Sequence, residues 1–90
     1  MATHKDAIKR ARQSDERRLR NRHYRSQMRK HIKGLRAAID AGDADTARAL
    51  LPGTVSVIQH VCQKGIIHKR NAARRVSRLA NAVNGIGAEG

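Results

Sequence analysis

The sequence predicts an all-α fold: an antiparallel three-helix bundle whose long, basic first helix overshoots the other two. Three observations predict it. The stretch from Lys5 to Arg36 holds no Pro and no Gly before Gly34, and it is built largely from Arg, Lys, Ala, Gln and Glu, which are good helix formers. Apolar residues recur at helical steps in three separate segments, divided by Gly42 and Gly65. The one β-branched run, Thr54–Ile58, has no partner strand, so it too reads as helix.

The first helix is expected from Thr3 or Lys5 to Ala41, with an apolar seam only in its second half, at Met28, Ile32, Leu35 and Ile39. Gly42 ends it, because Gly adopts the left-handed conformation that closes helices. Asp43 or Asp45 then caps the second helix, a carboxylate accepting the free N–H groups of the first turn. The expected inward stripe of that helix is Ala44, Ala47, Leu51, Val55, Ile58 and Cys62. Pro52 and Gly53 interrupt it; a Pro inside a helix costs ~3 kcal/mol, so the segment is expected either to kink at Leu51 or to divide in two. Gly65-Ile66-Ile67 is a short turn into a third helix, His68 to Val83, with its seam at Ala72, Val76, Leu79, Val83 and Ile86 and a tail from Asn84 that frays it out. Short connections make neighbours antiparallel.

Ninety residues allow one small domain. Within it, residues 1–27 read as a basic helical extension, 28–86 as the bundle and 87–90 as a tail. The bundle falls below the ~70–80 residues at which a single core stops being marginal, so weak stability and a frayed N-terminal half are expected without a partner.

Charge points to that partner. The net charge is +13. Residues 1–36 carry thirteen bases against three acids, a net of +10; residues 37–63 carry one base against three acids, −2; residues 64–90 carry six bases against one acid, +5. Two basic arms thus flank a neutral-to-acidic middle. A helix charged all round over its first half has no face to bury in a protein core, and the phosphate backbone of a nucleic acid is the polyanion that neutralises it. Arg outnumbers Lys fourteen to six, which suits bidentate phosphate contact, although genomic base composition enriches Arg as well.

Projected at ~100° per residue, Arg18, Arg22, Arg25, Arg29, Lys33 and Arg36 fall within an arc of ~80° beside the apolar seam, with no acid from Arg17 to Ala38. Such a stripe meets successive phosphates along a groove. Upstream, Lys5, Lys9, Arg10, Arg12, Arg17 and Arg20 spread around several sides, which suits insertion among several nucleic-acid segments. A second cluster, Lys64, His68, Lys69, Arg70, Arg74, Arg75 and Arg78, gathers at a helix N-terminus whose N–H groups favour anions. Asn71 either adds a hydrogen bond to phosphate, sugar or base or simply opens the helix. Tyr24, the one aromatic residue, extends the apolar seam or stacks on a base; its solitude argues against sheets and barrels that stack bases on aromatic platforms.

Several classes are set aside. Cys62 is the lone cysteine, which rules out an internal disulfide framework and reads as a buried free thiol in a reducing compartment. His60, Cys62 and His68 lack the paired Cys spacing of a zinc site, so no metal is expected. There is no apolar run of membrane-spanning length or signal-peptide type, and the acids and core seam of the first helix argue against a transit peptide. No Ser–His–acid set, paired carboxylates or glycine-rich phosphate loop stands out, so no enzyme, cofactor or small-molecule substrate is expected.

The run Lys64-Gly65-Ile66-Ile67-His68-Lys69-Arg70-Asn71-Ala72-Ala73-Arg74-Arg75, followed by Ser77-Arg78-Leu79, closely resembles the signature of a bacterial small-subunit ribosomal protein family, S-twenty. Ala7-Ile8-Lys9-Arg10, Gln13-Ser14, the run Arg17 to Arg25, and Ala37 to Asp43 are similar to that family too, so the resemblance covers nearly the whole chain. It implies a three-helix bundle with a long first helix, a place in the cytoplasmic ribosome, and direct binding to small-subunit ribosomal RNA early in assembly. The partners implied are RNA of the 5′ domain and a long helix of the 3′ minor domain, with other ribosomal proteins touched only peripherally. The basic first helix and the His68–Arg78 cluster would then face RNA. Pro52-Gly53 looks less typical of the family.

Three other classes compete. A small helical DNA compactor would bind duplex DNA as well as folded RNA. A coiled-coil or helix-in-groove partner would dimerise without RNA. A membrane-active basic helix needs the aromatic residues and the apolar face that this chain lacks before Met28.

Overall fold

Glycine closes two of the three helices in the same way. At Gly42 the backbone turns to φ +70°, Gly42 N–H donates to Ile39 C=O (3.0 Å) and Asp43 N–H to Ala38 C=O (3.0 Å). At Gly65, φ is +76°, Gly65 N–H donates to Cys62 C=O (2.9 Å) and Ile66 N–H to Val61 C=O (3.3 Å). In each case a residue without Cβ takes the left-handed conformation and two otherwise orphaned carbonyls are satisfied. The computed structural model describes residues 4–88, and these closures divide it into α1 (His4–Asp40), α2 (Ala44–Gln63) and α3 (Lys69–Ala88). No strand occurs among the described residues. A helix start at Thr3 and the last two residues of the tail lie outside them.

α2 packs against both α1 and α3, which touch each other less. The core is formed by Met28, Ile32, Leu35 and Ala38 of α1, Ala47, Ile58 and Val61 of α2, Ile66 of the turn, and Ala72, Leu79 and Val83 of α3. Ile66 is a core residue although it sits in a connection: the Gly65 closure delivers its side chain beside Val61. The resulting molecule is long and thin, 69 × 20 × 15 Å, with a radius of gyration of 18.0 Å against the ~12 Å expected of a compact chain of this length. The cause is α1: its 37 residues span ~55 Å, whereas the 20-residue α2 and α3 span ~30 Å each. Residues 4–20 are exposed throughout; Asn21 and Tyr24 are half-buried, and full burial begins at Met28.

Three expectations are corrected. The inward face of α2 is rotated: Thr54 and Val61 are buried, while Ala44, Leu51, Val55 and Cys62 are only partly so. A helix that packs on two neighbours needs an arc wider than one stripe, so its margins, Val55 and Cys62, stay half covered. Thr54 fills the centre because its Oγ1 donates to Leu50 C=O (3.0 Å), leaving no unpaired hydroxyl in the core. Second, of the two alternatives at Pro52, division does not occur: α2 is one helix from Ala44 to Gln63. Packing on both sides of the proline, at Ala47 and Ile58, offsets the lost hydrogen bond. Third, α3 does not fray at Asn84 but continues to Ala88, with Ile86 packed against the core.

Asp43 is the N-cap of α2. Its Oδ1 accepts from Thr46 N–H (3.2 Å) and its Oδ2 from the Thr46 hydroxyl (2.6 Å). These two hydrogen bonds, that of the hydroxyl foremost, hold the carboxyl below the usual carboxylate range. Asp45 lies in the first turn, where it favours the helix dipole.

Candidate nucleic-acid interface

Six basic residues of α1 and α3, far apart in sequence, line adjoining concavities: Arg29, Lys33, Arg36, Arg74, Arg75 and Arg78. Arg36 of α1 and Asn71, Arg74, Arg75 and Arg78 of α3 surround a cleft of about 180 Å³ floored by Ile32 and Leu79. No acid lines it. An adjoining groove is lined by Arg29, Lys33, Arg36 and Arg75, with Asp40 at its edge. Helical spacing explains both: Arg29, Lys33 and Arg36 are neighbours on α1, Asn71, Arg75 and Arg78 on α3, and the seams beside them bring the rows face to face.

The first half of α1 makes a second focus. Arg17, Arg20 and Asn21 line a notch with Lys64, Gly65 and Ile66, where the turn between α2 and α3 meets α1. Arg25 stands at this junction, its Nη2 donating to Ile66 C=O (3.4 Å). That bond ties the turn to α1, so Arg25 has a structural task beside its charge. Lys5, Lys9, Arg10, Arg12, Arg18 and Arg22 are exposed and belong to neither concavity.

The third-helix cluster is split. Lys69 lines a different groove, between α2 and α3, with Cys62, Ala72 and Val76. Cys62 is a free, half-buried thiol there, not the fully buried one expected. His68 precedes α3 and caps it: its Nδ1 accepts from Arg70 N–H (3.1 Å) and its C=O from Ala72 N–H (3.1 Å). The imidazole therefore spends one nitrogen on the helix start, and the other remains as a donor. Arg70 is exposed outside the cleft.

Asn71, in the first turn of α3, is bonded within the chain. Its Oδ1 accepts from Arg75 Nε (2.7 Å), one helical turn on. Tyr24 packs against the core and meets His60 and His23 edge-on, each with ring centroids 5.6 Å apart, so it extends the seam. Sequence reasoning did not single out Asn21; its signal was its position one turn after Arg17.

Among the described residues, no helix is long and apolar enough to cross a membrane, and no three His, Cys, Asp or Glu side chains gather to hold a metal ion. What the surface offers is a line of fixed positive charge with concave stations, suited to a polyanion.

Comparison with known proteins agrees with the resemblance read from the third-helix entry. The family model described as Ribosomal protein S20 matches residues 2–84. The chain is 47% identical over 87 residues to the small ribosomal subunit protein bS20 of Geobacter sulfurreducens, covering 97% of this chain and 100% of the relative. It is 46% identical over 87 residues to that of Trichlorobacter lovleyi, with the same coverage, and 48% identical over 84 residues to that of Geotalea daltonii, covering 93% and 97%. A match over nearly the whole length of both partners, added to the three-helix fold and its basic face, makes this chain a member of the ribosomal protein S20 family.

Proposed function

We propose that this protein is a structural constituent of the small ribosomal subunit in the cytoplasm, binding small-subunit ribosomal RNA directly and stabilising its fold during assembly. The observation that carries the reading is the acid-free cleft between α1 and α3, into which cations from two distant parts of the sequence converge. Its mechanism is charge and shape. Arg36, Arg74, Arg75 and Arg78 neutralise phosphates that RNA folding brings close together; the exposed arm of α1 reaches further RNA segments. The α1/α3 cleft and the long exposed arm of α1 give two separated basic surfaces, which suits RNA of two domains, the 5′ domain and the 3′ minor domain. Phosphate contacts fix position and carry little sequence information, so specificity comes from the geometry of the folded RNA.

A competition titration at physiological salt tests this, with folded small-subunit ribosomal RNA set against duplex DNA and shuffled RNA of equal length. A preference of a hundredfold or more for the ribosomal RNA is expected. With about eight phosphates neutralised, log K falls against log salt with a slope of about −6 to −7. Equal binding to all three would mean a DNA compactor or an unspecific polycation.

A further inference from the structure

Five side chains converge on the α1/α3 cleft with polar groups, and one of them is neutral. Asn71 places its carbonyl oxygen 2.7 Å from Arg75 Nε. Asn71 and Arg75 are both half-buried, whereas Arg36, Arg74 and Arg78 are exposed. Arg75 also lines the neighbouring groove, so it stands where the two concavities meet. Left alone, its guanidinium would be pushed outward by the three like charges around it in the cleft, where no acid stands; the one acid of the adjoining groove, Asp40, lies at that groove's edge. A carboxylate at position 71 would hold it as firmly but cancel its charge. A carboxamide holds it and leaves the charge intact.

We propose that Asn71 is a positioning residue: it fixes Arg75 so that the guanidinium meets one backbone phosphate end-on. A guanidinium has five N–H donors, and occupying Nε leaves the four on the two terminal nitrogens. That edge matches the two non-bridging oxygens of a single phosphodiester, a bidentate pair. It does not suit a grip on two adjacent phosphates through Nε and a terminal nitrogen together. The proposal rests on the RNA-binding reading above and adds that Asn71 acts through Arg75, with no contact of its own to the RNA.

The test is a double-mutant cycle on the full chain with folded small-subunit ribosomal RNA, each affinity measured across a range of salt. Asn71→Ala, Arg75→Ala and the double variant are compared, with melting temperatures to show that each is folded. Arg75→Ala is expected to weaken binding and to flatten the salt slope by about 0.7–0.9, the contribution of one phosphate. Asn71→Ala removes no charge, yet it is expected to flatten the slope in the same way and to weaken binding about fivefold or more, within the range for coupled neighbours. In the Arg75→Ala background, Asn71→Ala is expected to change nothing further. Losses that multiply, or an Asn71→Ala variant with the parent slope, would overturn the inference and leave RNA binding standing. An Arg75→Ala variant that binds like the parent would overturn it too, there being nothing to position. A parent protein with no salt dependence would sink the RNA reading itself. If Asn71→Ala melts below its assay temperature, Asn71→Ser and Asn71→Gln supply the same comparison.

Discussion

Asp43 shows how much one exposed side chain can do at a helix start. The Thr46 hydroxyl and N–H both bond its ionised carboxylate, so protonation costs more in the folded chain than in the unfolded one. A carboxyl lowered in this way stabilises the fold fully above about pH 4, the ordinary carboxylate range, and that contribution is lost as the pH falls through the lower folded value. Asp43→Ala should therefore melt earlier than the parent at neutral pH, and the gap between the two should close in acid. Thermal melts followed by circular dichroism from neutral pH downward check this; parallel curves for the two proteins would mean that the cap contributes nothing. Asp45, two residues on, was an equal candidate from sequence, and only the backbone geometry separates them: Asp43 has the non-helical φ of −85° and ψ of 84° that a cap requires.

At the scale of the elements, α3 is the helix whose seam was most legible. Ala72, Leu79 and Val83 are buried and Val76 and Ile86 half-buried, as helical spacing predicts. Leu79, 5% exposed, lies between the core and the floor of the basic cleft. Leu79→Ala should lower stability by ~2–5 kcal/mol, through lost burial and the cavity left in a small core. An unaltered melting temperature would contradict the packing of α3. The rest was hidden for identifiable reasons. Hydropathy passes over Thr54, because nothing in a sequence shows that its hydroxyl will bond Leu50 C=O. Periodicity reads one helix at a time, so it placed Arg36 and Arg75 on separate stripes; only the packing of the three helices brings them to one cleft. Lys69 lines instead the groove between α2 and α3. A Pro at position 52 argues locally for a break, and packing at Ala47 and Ile58 overrides it.

The whole molecule is a small bundle with a lever attached. From His4 to Arg20 α1 has no buried side chain, and Ile8 and Leu19 stand 50% and 67% exposed. No burial supports the helix of the arm, and cations on its neighbouring turns repel one another. Regions with few buried contacts open well below the global unfolding free energy. Hydrogen exchange on the free protein should accordingly show fast exchange over the arm and slow exchange around Leu35, Ile58 and Leu79. Binding to the folded RNA should slow the arm towards the rate of the bundle, because a ligand that prefers the ordered helix stabilises it by mass action. Replacing Lys9, Arg10, Arg12 and Arg17 by Gln separates the two parts of the molecule. None of the four side chains is buried, so the melting temperature of the bundle should hold, while the salt slope of RNA binding should flatten by about 3, four phosphates' worth. A variant that kept the parent slope would confine the interface to the α1/α3 cleft. A variant whose bundle melted early would mean that the arm folds back on the core, against the 69 Å length of the molecule.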